Sequence, residues 1–481
     1  MKNIIEISLL ADKAILEKNG LVINELIQGI NNILPSLSGD DKFQGYYTLA
    51  NLYSEYGQLN SESIYGWMDD EYPKNLVLSM NSYRECLLQN NNELIEPIVN
   101  YANALNKFCR TVEAVKYWKC DFSLVGDPAP VSFLSMGDSL GWLSQFLDDK
   151  GHELEFQLQA YQLLKELQQN INKVEHVGIV LTVKEDERIN RFLAYGDKHF
   201  ADLNSSIDTF AKPNYSADEE GYRKWVLNNN LFANPMNIIT KEWVAANDIL
   251  QFPSHTVKVS EGPYYMAAFS SIKREYCFAR HLLYEGIHGF HPKYENDDLY
   301  LTDTLDYVSY DGSIEKIKAS FRIIFSIFDS LYKLLYEYFG ANSSSVEKVY
   351  FYPSHFRKHF SSFAKNPFVN ALFWLSCDLT DNDRMKDWKA PNPNGKDFRK
   401  IRNALEHNWL RVADSKSFYS GEIDYAFKIS RESLTDKTLE LIRLARAALF
   451  YTAFAVRCNE MHNKKDESKI VQNPINLYRP I

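Results

Sequence analysis

The side chains best suited to chemistry lie close together in one segment, PNPNGKDFRKIRNALEHNWLRV, which covers Pro391–Val412. Two prolines and a glycine interrupt the chain, and Asn394 or Asp397 can cap the helix that the pattern predicts over Asp397–Val412. At about 100° per residue, the polar face of this helix carries Arg399, Arg402, Asn403, Glu406 and His407. An imidazole titrates near neutral pH and a guanidinium binds phosphate well, so this face suits proton transfer beside a phosphate group.

The opposite face of the same helix is apolar and carries Ile401, Leu405, Trp409 and Val412. Burial of these four side chains would hold the polar face toward solvent. A purely structural interpretation is also available. Arg402 and Glu406 are spaced as an ion pair across one helical turn, Arg399 can join them, and His407 can be an ordinary surface histidine.

Helical periodicity dominates the rest of the chain. Glycine and proline are sparse, at 20 and 16 of 481 residues, and alternation of β-branched residues is rare. In Ile317–Phe339, apolar residues recur at steps of three and four, and a charged row of Asp329, Lys333 and Glu337 lies on the other side. The pattern predicts an all-α protein. Residues 311–481 are predicted to form a helical bundle from Asp311–Gly340, Asn366–Leu379, Asp397–Val412 and Leu434–His462.

The first part of the chain, residues 1–201, carries a weak internal repeat. Leu49–Trp67 and Tyr101–Trp118 share an Ala-Asn pair, an aromatic residue, a glutamate and a final tryptophan. A repeated helix pair that buries its apolar face on its neighbour predicts an α-solenoid. Tyr47–Gly57 resembles the first helix and turn of a tetratricopeptide repeat, although the offset between the two copies exceeds the regular period of about 34 residues.

The segment between these two parts, residues 202–310, is interrupted by Pro213, Pro235, Pro253, Pro263 and Pro292. Helical patterns cover Tyr222–Leu231 and Ile272–Glu285 within it. We interpret the segment as an irregular connector between the solenoid and the bundle. Its acidic and amide-rich loops lack the ligand spacing of a metal site.

The segment from Arg402 to His407 resembles the signature of HEPN domains, in which four to six residues separate an arginine from a histidine. Asn403 stands after the arginine, where many members carry asparagine. A tetratricopeptide-like part before such a bundle is similar to one bacterial HEPN subgroup, and so are the phrases at Tyr222–Pro235 and Glu275–Arg280. The resemblance therefore extends over most of the chain.

The resemblance implies a bundle of four or five helices that binds RNA and cleaves it without a metal or cofactor. It also implies a homodimer in which two motif helices face each other. Arg402 and His407 would be catalytic, Asn403 would orient the imidazole or hold the phosphate, and Glu406 and Arg399 would support them. Two other pairs, Arg457–His462 and Arg274–His281, fall within the same range of four to six intervening residues. We expect the first to be a chance match at the end of the last helix and the second to serve packing or to lie on the surface.

Charge and composition narrow the functional classes. The net charge of −10 argues against a surface coated for nucleic acid, but Lys396–Lys465 contains 14 Lys and Arg against nine Asp and Glu. The six cysteines form no C-x-x-C pair, which predicts free thiols and no structural metal. Glu6 and Asp12 make the first apolar run a poor signal peptide, and other apolar runs are too short or too charged to span a membrane. We expect a soluble, cytoplasmic protein.

Three hypotheses remain for the function. The first is an endoribonuclease that acts as a toxin or antiviral defence effector, regulated by a protein or peptide partner of the solenoid. The second is a non-catalytic HEPN bundle that binds RNA or nucleotide, or that neutralises a partner. The third is a helical scaffold in which the Arg–His match is accidental. Metal-independent RNA cleavage that depends on His407 separates the first hypothesis from the other two.

Overall fold

The computed structural model describes residues 4–65, 67, 73–89, 94–119, 131–170, 183–200, 203, 205, 207, 210–258, 260, 262–289, 294, 299–302, 308–340, 349–379, 395–414, 421–423, 426–463 and 469–473. The chain forms two compact units, Met1–Thr209 and Phe210–Ile481, and each is described by itself.

The described part of the first unit is helical. Its helices are α1 (Ile4–Leu16), α2 (Gly20–Ile33), α3 (Gly39–Leu59), α4 (Lys74–Gln89), α5 (Glu96–Lys107), α6 (Thr111–Trp118), α7 (Val131–Ser144), α8 (Lys150–Gln169) and α9 (Val183–His199). Asn19 caps α2 by accepting a hydrogen bond from the Val22 N–H, and Asp149 caps α8 in the same way. Each helix packs against the next one along the chain, which is how a solenoid buries its apolar faces.

Both copies of the predicted repeat bury corresponding residues. Ala50 and Ala102 are fully buried, and Trp67 and Trp118 are at most 1% exposed. Burial of a small residue and of an indole at corresponding positions is consistent with close packing between neighbouring helices. The specific likeness to a tetratricopeptide repeat stays a prediction.

The second unit contains α10 (Ala217–Asn228), α11 (Met236–Ile239), α12 (Tyr264–His288), α13 (Gly312–Tyr338), α14 (Pro353–His359), α15 (Pro367–Leu379), α16 (Gly395–His407) and α17 (Arg431–His462). Its strands are β1 (His255–Lys258), β2 (Trp409–Ala413), β3 (Gly421–Ile423), β4 (Ala426–Ser430) and β5 (Lys469–Gln472). Short 3-10 helices cover Leu34–Ser36, Trp243–Ala245 and Ser361–Phe363. The prediction of an all-α protein is confirmed, with a few short strands added to the helices.

Long helices form the core of the second unit. α13 packs along both α12 and α17, and α15 packs against α17. Every residue of α15 from Phe368 to Leu379 is buried, as expected for a helix that is apolar on all sides. Gly286 allows α12 to approach α13 closely, because a Cβ at this position would lie 2.7 Å from the carbonyl oxygen of Ser313.

Two small sheets accompany these helices. β2 pairs with β4 in parallel, β3 pairs with β4 antiparallel, and β1 pairs with β5 antiparallel. The prediction that the motif helix extends to Val412 is wrong, since α16 ends at His407 and β2 begins at Trp409. Trp409 therefore does not lie on the apolar helix face. Side chains alternate along a strand, so Leu410 and Val412 are buried while Trp409 is 72% exposed.

Candidate active site

The motif helix α16 is fixed along one side and open along the other. Phe398 and Ile401 are fully buried and Leu405 is 6% exposed, and this apolar stripe packs against α13 and α15. Near the start of the helix, Nζ of Lys437 on α17 lies 2.6 Å from a carboxylate oxygen of Asp397. These contacts hold the helix so that its polar side chains face outward.

The open side of α16 faces a cleft of about 470 Å³. Four of the five predicted site residues line this cleft: Arg402, Asn403, Glu406 and His407. The remaining lining comes from α13 and from two tyrosines before α14: Phe321, Arg322, Phe325, Ser326, Asp329, Tyr350 and Tyr352. Arg399, the fifth predicted residue, is exposed one turn earlier and is not part of this lining.

Arg402 is held in the wall of the cleft by two contacts. The carbon of its guanidinium lies 4.4 Å from the centre of the Phe325 ring, which is a cation–π contact. A terminal nitrogen of the same group lies 3.9 Å from a carboxylate oxygen of Asp329. The Arg402 side chain is 31% exposed, so the guanidinium rests on the ring and still reaches the space of the cleft.

Asp329 also lines the cleft, although the sequence pattern did not predict it as a site residue. Its carboxylate accepts a hydrogen bond from the backbone N–H of Phe351 at 2.8 Å. Burial raises the pKa of this carboxyl, and the Phe351 hydrogen bond, the Arg402 guanidinium and His355 each offset part of the rise. Asp329 thus joins α13 to the segment before α14 and orients Arg402.

Glu406 pairs with Arg322 of α13. Nε of Arg322 lies 3.5 Å from a carboxylate oxygen of Glu406, and Arg322 also donates a hydrogen bond to the backbone carbonyl of Leu405. That carbonyl belongs to the last turn of α16, where carbonyls lack a partner within the helix. Glu406 therefore pairs with an arginine of the neighbouring helix α13. The ion pair between Arg402 and Glu406 that the spacing allowed is not observed among the described residues.

His407 is the last residue of α16, and Asn403 lies one turn before it. Both are exposed, and both line the cleft. The side chains of Arg402 and His407 leave the helix about 140° apart. Both side chains nevertheless line this cleft.

The two other Arg–His pairs lie outside this cleft. Nδ1 of His462 lies 2.7 Å from the carbonyl oxygen of Cys458, and Arg457 lines a separate cleft. Nε2 of His281 lies 3.4 Å from a carboxylate oxygen of Glu285 on the same helix. In both cases the histidine packs against its own helix.

A comparison with protein families covers the part of the chain that carries the motif helix. The family described as LA2681-like HEPN matches residues 256–459. The chain contains an LA2681-like HEPN domain. No curated protein and no solved structure matches the chain. HEPN domains commonly bind RNA and form dimers, so the domain indicates a general role in RNA binding or RNA cleavage.

Among the described residues, no three His, Cys, Asp or Glu side chains form a group that could hold a metal ion. The described cysteines form no disulfide with one another: Cys86, Cys109, Cys277, Cys377 and Cys458. In the same part of the chain, none of the helices combines the length and the apolar composition that a membrane crossing requires.

Proposed function

We propose that the protein is a metal-independent endoribonuclease of the HEPN type. The proposal rests on one observation: Arg402, Asn403 and His407 line one open cleft within the matched domain. These residues supply a cation, an amide and an imidazole to the same space. Local charge supports RNA as the ligand, because Lys396–Lys465 has five more cations than anions in a chain of net charge −10.

In the proposed reaction, His407 removes the proton of a ribose 2′-hydroxyl, and the oxygen attacks the adjacent phosphorus. Asn403 and Arg402 hold the phosphate, and Arg402 balances the additional negative charge of the five-coordinate phosphorus. The bond from phosphorus to the 5′-oxygen then breaks, and that oxygen takes up a proton. The products are a 2′,3′-cyclic phosphate and a 5′-hydroxyl, and no step consumes a cofactor.

The surrounding contacts prepare these groups before RNA binds. Phe325 and Asp329 hold the Arg402 guanidinium, so less freedom is lost when it meets a phosphate. The Arg322–Glu406 pair fixes the end of α16 on which His407 lies. Arg399 lies on the same helix outside the cleft, and we assign it a supporting contact with the RNA strand.

We expect two HEPN domains to act together as a homodimer. Because Arg402 and His407 diverge around α16, a two-fold axis that brings two α16 helices together would place the His407 of one chain beside the Arg402 of the other. The second imidazole would then supply the proton to the 5′-oxygen. Arg402→Ala and His407→Ala chains, each inactive alone, should partly restore cleavage when mixed. A protein that sediments as a monomer at assay concentration and still cleaves RNA would contradict this arrangement.

We assign the cleavage to a toxin or antiviral defence effector that the first unit regulates. A solenoid offers an extended surface for a protein or peptide partner, which is a suitable input for controlling a destructive nuclease. Induced expression of the wild-type chain should arrest bacterial growth, and His407→Ala should relieve the arrest. Equal arrest by both chains at equal protein levels would exclude cleavage as its cause.

The chemistry of the product ends tests the proposed reaction. Purified protein is incubated with RNA, and the products are analysed by mass spectrometry. Cyclic phosphate ends that are absent with His407→Ala support the mechanism. Binding of RNA without cleavage would instead support the non-catalytic HEPN hypothesis.

A further inference from the structure

A second open cleft adjoins the first at the carboxyl end of α16. It has a volume of about 680 Å³ and lies between α13, the residues before α13, and β2. Arg322 lines both clefts, and Asn408, the residue after His407, lines the second one. The two spaces therefore meet beside the proposed catalytic histidine.

Trp409 projects into the second cleft. This residue is 72% exposed, and it is the most exposed tryptophan in the described part of the chain. Strand β2 sets this orientation, because side chains alternate along a strand. Leu410 and Val412 point to the buried face, so Trp409 points to the opposite, open face. The residues before α13 run beside β2, and the N–H of Ser309 donates a hydrogen bond to the carbonyl of Val412 at 2.8 Å. This segment brings Tyr310 to the same cleft.

Three cations share the lining of this cleft with the two aromatic rings. Lys318, Arg322 and Arg411 line the second cleft, and Glu315 is the acidic residue of the same lining. The lining has a positive net charge although the whole chain has a net charge of −10. Exposed aromatic rings beside cations are typical of sites for single-stranded nucleic acid, in which bases stack on the rings and the cations follow the phosphates.

We propose that the second cleft holds an unpaired base of the RNA by stacking it on Trp409, next to the phosphate that is cleaved. The inference rests on the proposed function and adds a substrate class to it, namely single-stranded or looped RNA. Trp409 follows His407 by two residues, so their backbones are at most about 7 Å apart, within reach of the adjacent nucleotide. A base inside a duplex is stacked between its neighbours and cannot offer its face to an indole.

Binding of a non-cleavable RNA tests the site without requiring activity. Fluorescence anisotropy would compare a 2′-O-methylated single strand with the corresponding duplex at one fixed salt concentration. Trp409→Ala should weaken binding of the single strand about tenfold, and Trp409→Phe should retain most of the affinity because a ring remains. Phe278→Ala is the matched control, since Phe278 is also an exposed ring, at 46%, but lies outside both clefts.

The outcomes distinguish this inference from the proposed function. Binding that depends on Trp409 supports the inference even if the wild-type protein proves unable to cleave RNA. Equal affinity of the wild-type and Trp409→Ala proteins would overturn it while leaving cleavage by His407 intact. A Trp409→Ala protein that changes from dimer to monomer in sedimentation, with unchanged RNA affinity, would also overturn it. That result would assign the surface to an interface between two copies of the chain.

Discussion

Replacement of Asp329 by asparagine tests how Arg402 is positioned in the cleft. The amide oxygen can still accept the hydrogen bond from the Phe351 N–H, so the variant removes the charge and keeps the backbone contact. At 3.9 Å, two unit charges attract by about 4 kcal/mol when the effective dielectric constant is about 20. The pair borders an open cleft, so this attraction offsets only about 1 kcal/mol of the larger cost of burying the Asp329 charge.

The pH dependence of stability has a defined sign. The folded pKa of Asp329 lies above its usual 3.8 because burial disfavours the charged form. The stability that this group contributes is present below pH 3.8 and is lost as the pH rises through the folded pKa. Asparagine has no such titration. The Tm of Asp329→Asn relative to wild type should therefore increase as the pH rises from about 4 to 7.

Turnover and binding should respond differently to the same substitution. The Arg402 guanidinium loses its orienting partner, so we expect kcat to fall about tenfold. Removal of one negative charge from the wall of the cleft should leave the Kd for a 2′-O-methylated RNA unchanged or lower it about twofold. Glu337→Gln is the control, because Glu337 lies on the same helix outside the cleft. An unchanged kcat in a folded Asp329→Asn protein, or a clearly raised Kd, would refute the positioning role.

Two further substitutions have defined outcomes. His462→Ala should leave RNA cleavage unchanged, because His462 packs against the Cys458 carbonyl outside the cleft; loss of cleavage with a normal Tm would show that the other Arg–His pair is catalytic. Arg280→Ala should destabilise the second unit by about 3–5 kcal/mol in chemical denaturation, because it removes both hydrogen bonds that Arg280 donates to the Asp248 carboxylate inside the core. Lys224→Ala removes a more exposed ion pair and should cost less than about 1 kcal/mol; equal losses in the two variants would contradict the difference in burial.

The long helices could be predicted because burial imposes a period on the sequence. The periodic segment Ile317–Phe339 falls in α13, which runs from Gly312 to Tyr338, except for its last residue. Leu434–His462 falls in α17. In α13 the buried residues recur mostly at steps of three and four, whereas α17 is buried without interruption from Leu444 to Val456. The predicted piece Ile272–Glu285 is part of the longer helix α12, whose first turns lack a clear apolar pattern.

The end of the motif helix could not be predicted from local pattern. Trp409 and Val412 continue the spacing of an apolar helix face, yet they lie in a strand that pairs with Ala426–Ser430. Such pairing depends on residues far along the chain, and helical periodicity does not report it. The exposed indole, on which the second cleft depends, follows from this strand.

The partner of Arg402 could not be predicted for a similar reason. Asp329 stands in a charged row with Lys333 and Glu337, a pattern that indicates a solvated helix face. In the fold, Asp329 instead accepts a hydrogen bond from the Phe351 N–H. Its carboxylate also faces Arg402, which lies 73 positions further along the chain. Arg402, Asn403 and His407 could be predicted because their types and spacing lie on one helix. The groups that orient them lie on other elements and leave no local pattern.

Single-turnover cleavage of a labelled RNA in the presence of EDTA tests the central claim most directly. The wild-type protein should cleave under these conditions, and a folded His407→Ala protein with unchanged Tm should be slower by at least about a hundredfold, which is the contribution expected of a general base. Cleavage at the wild-type rate by folded His407→Ala would contradict the assignment of the catalytic residue. Loss of wild-type cleavage in EDTA, restored by one specific divalent cation, would contradict the metal-independent mechanism.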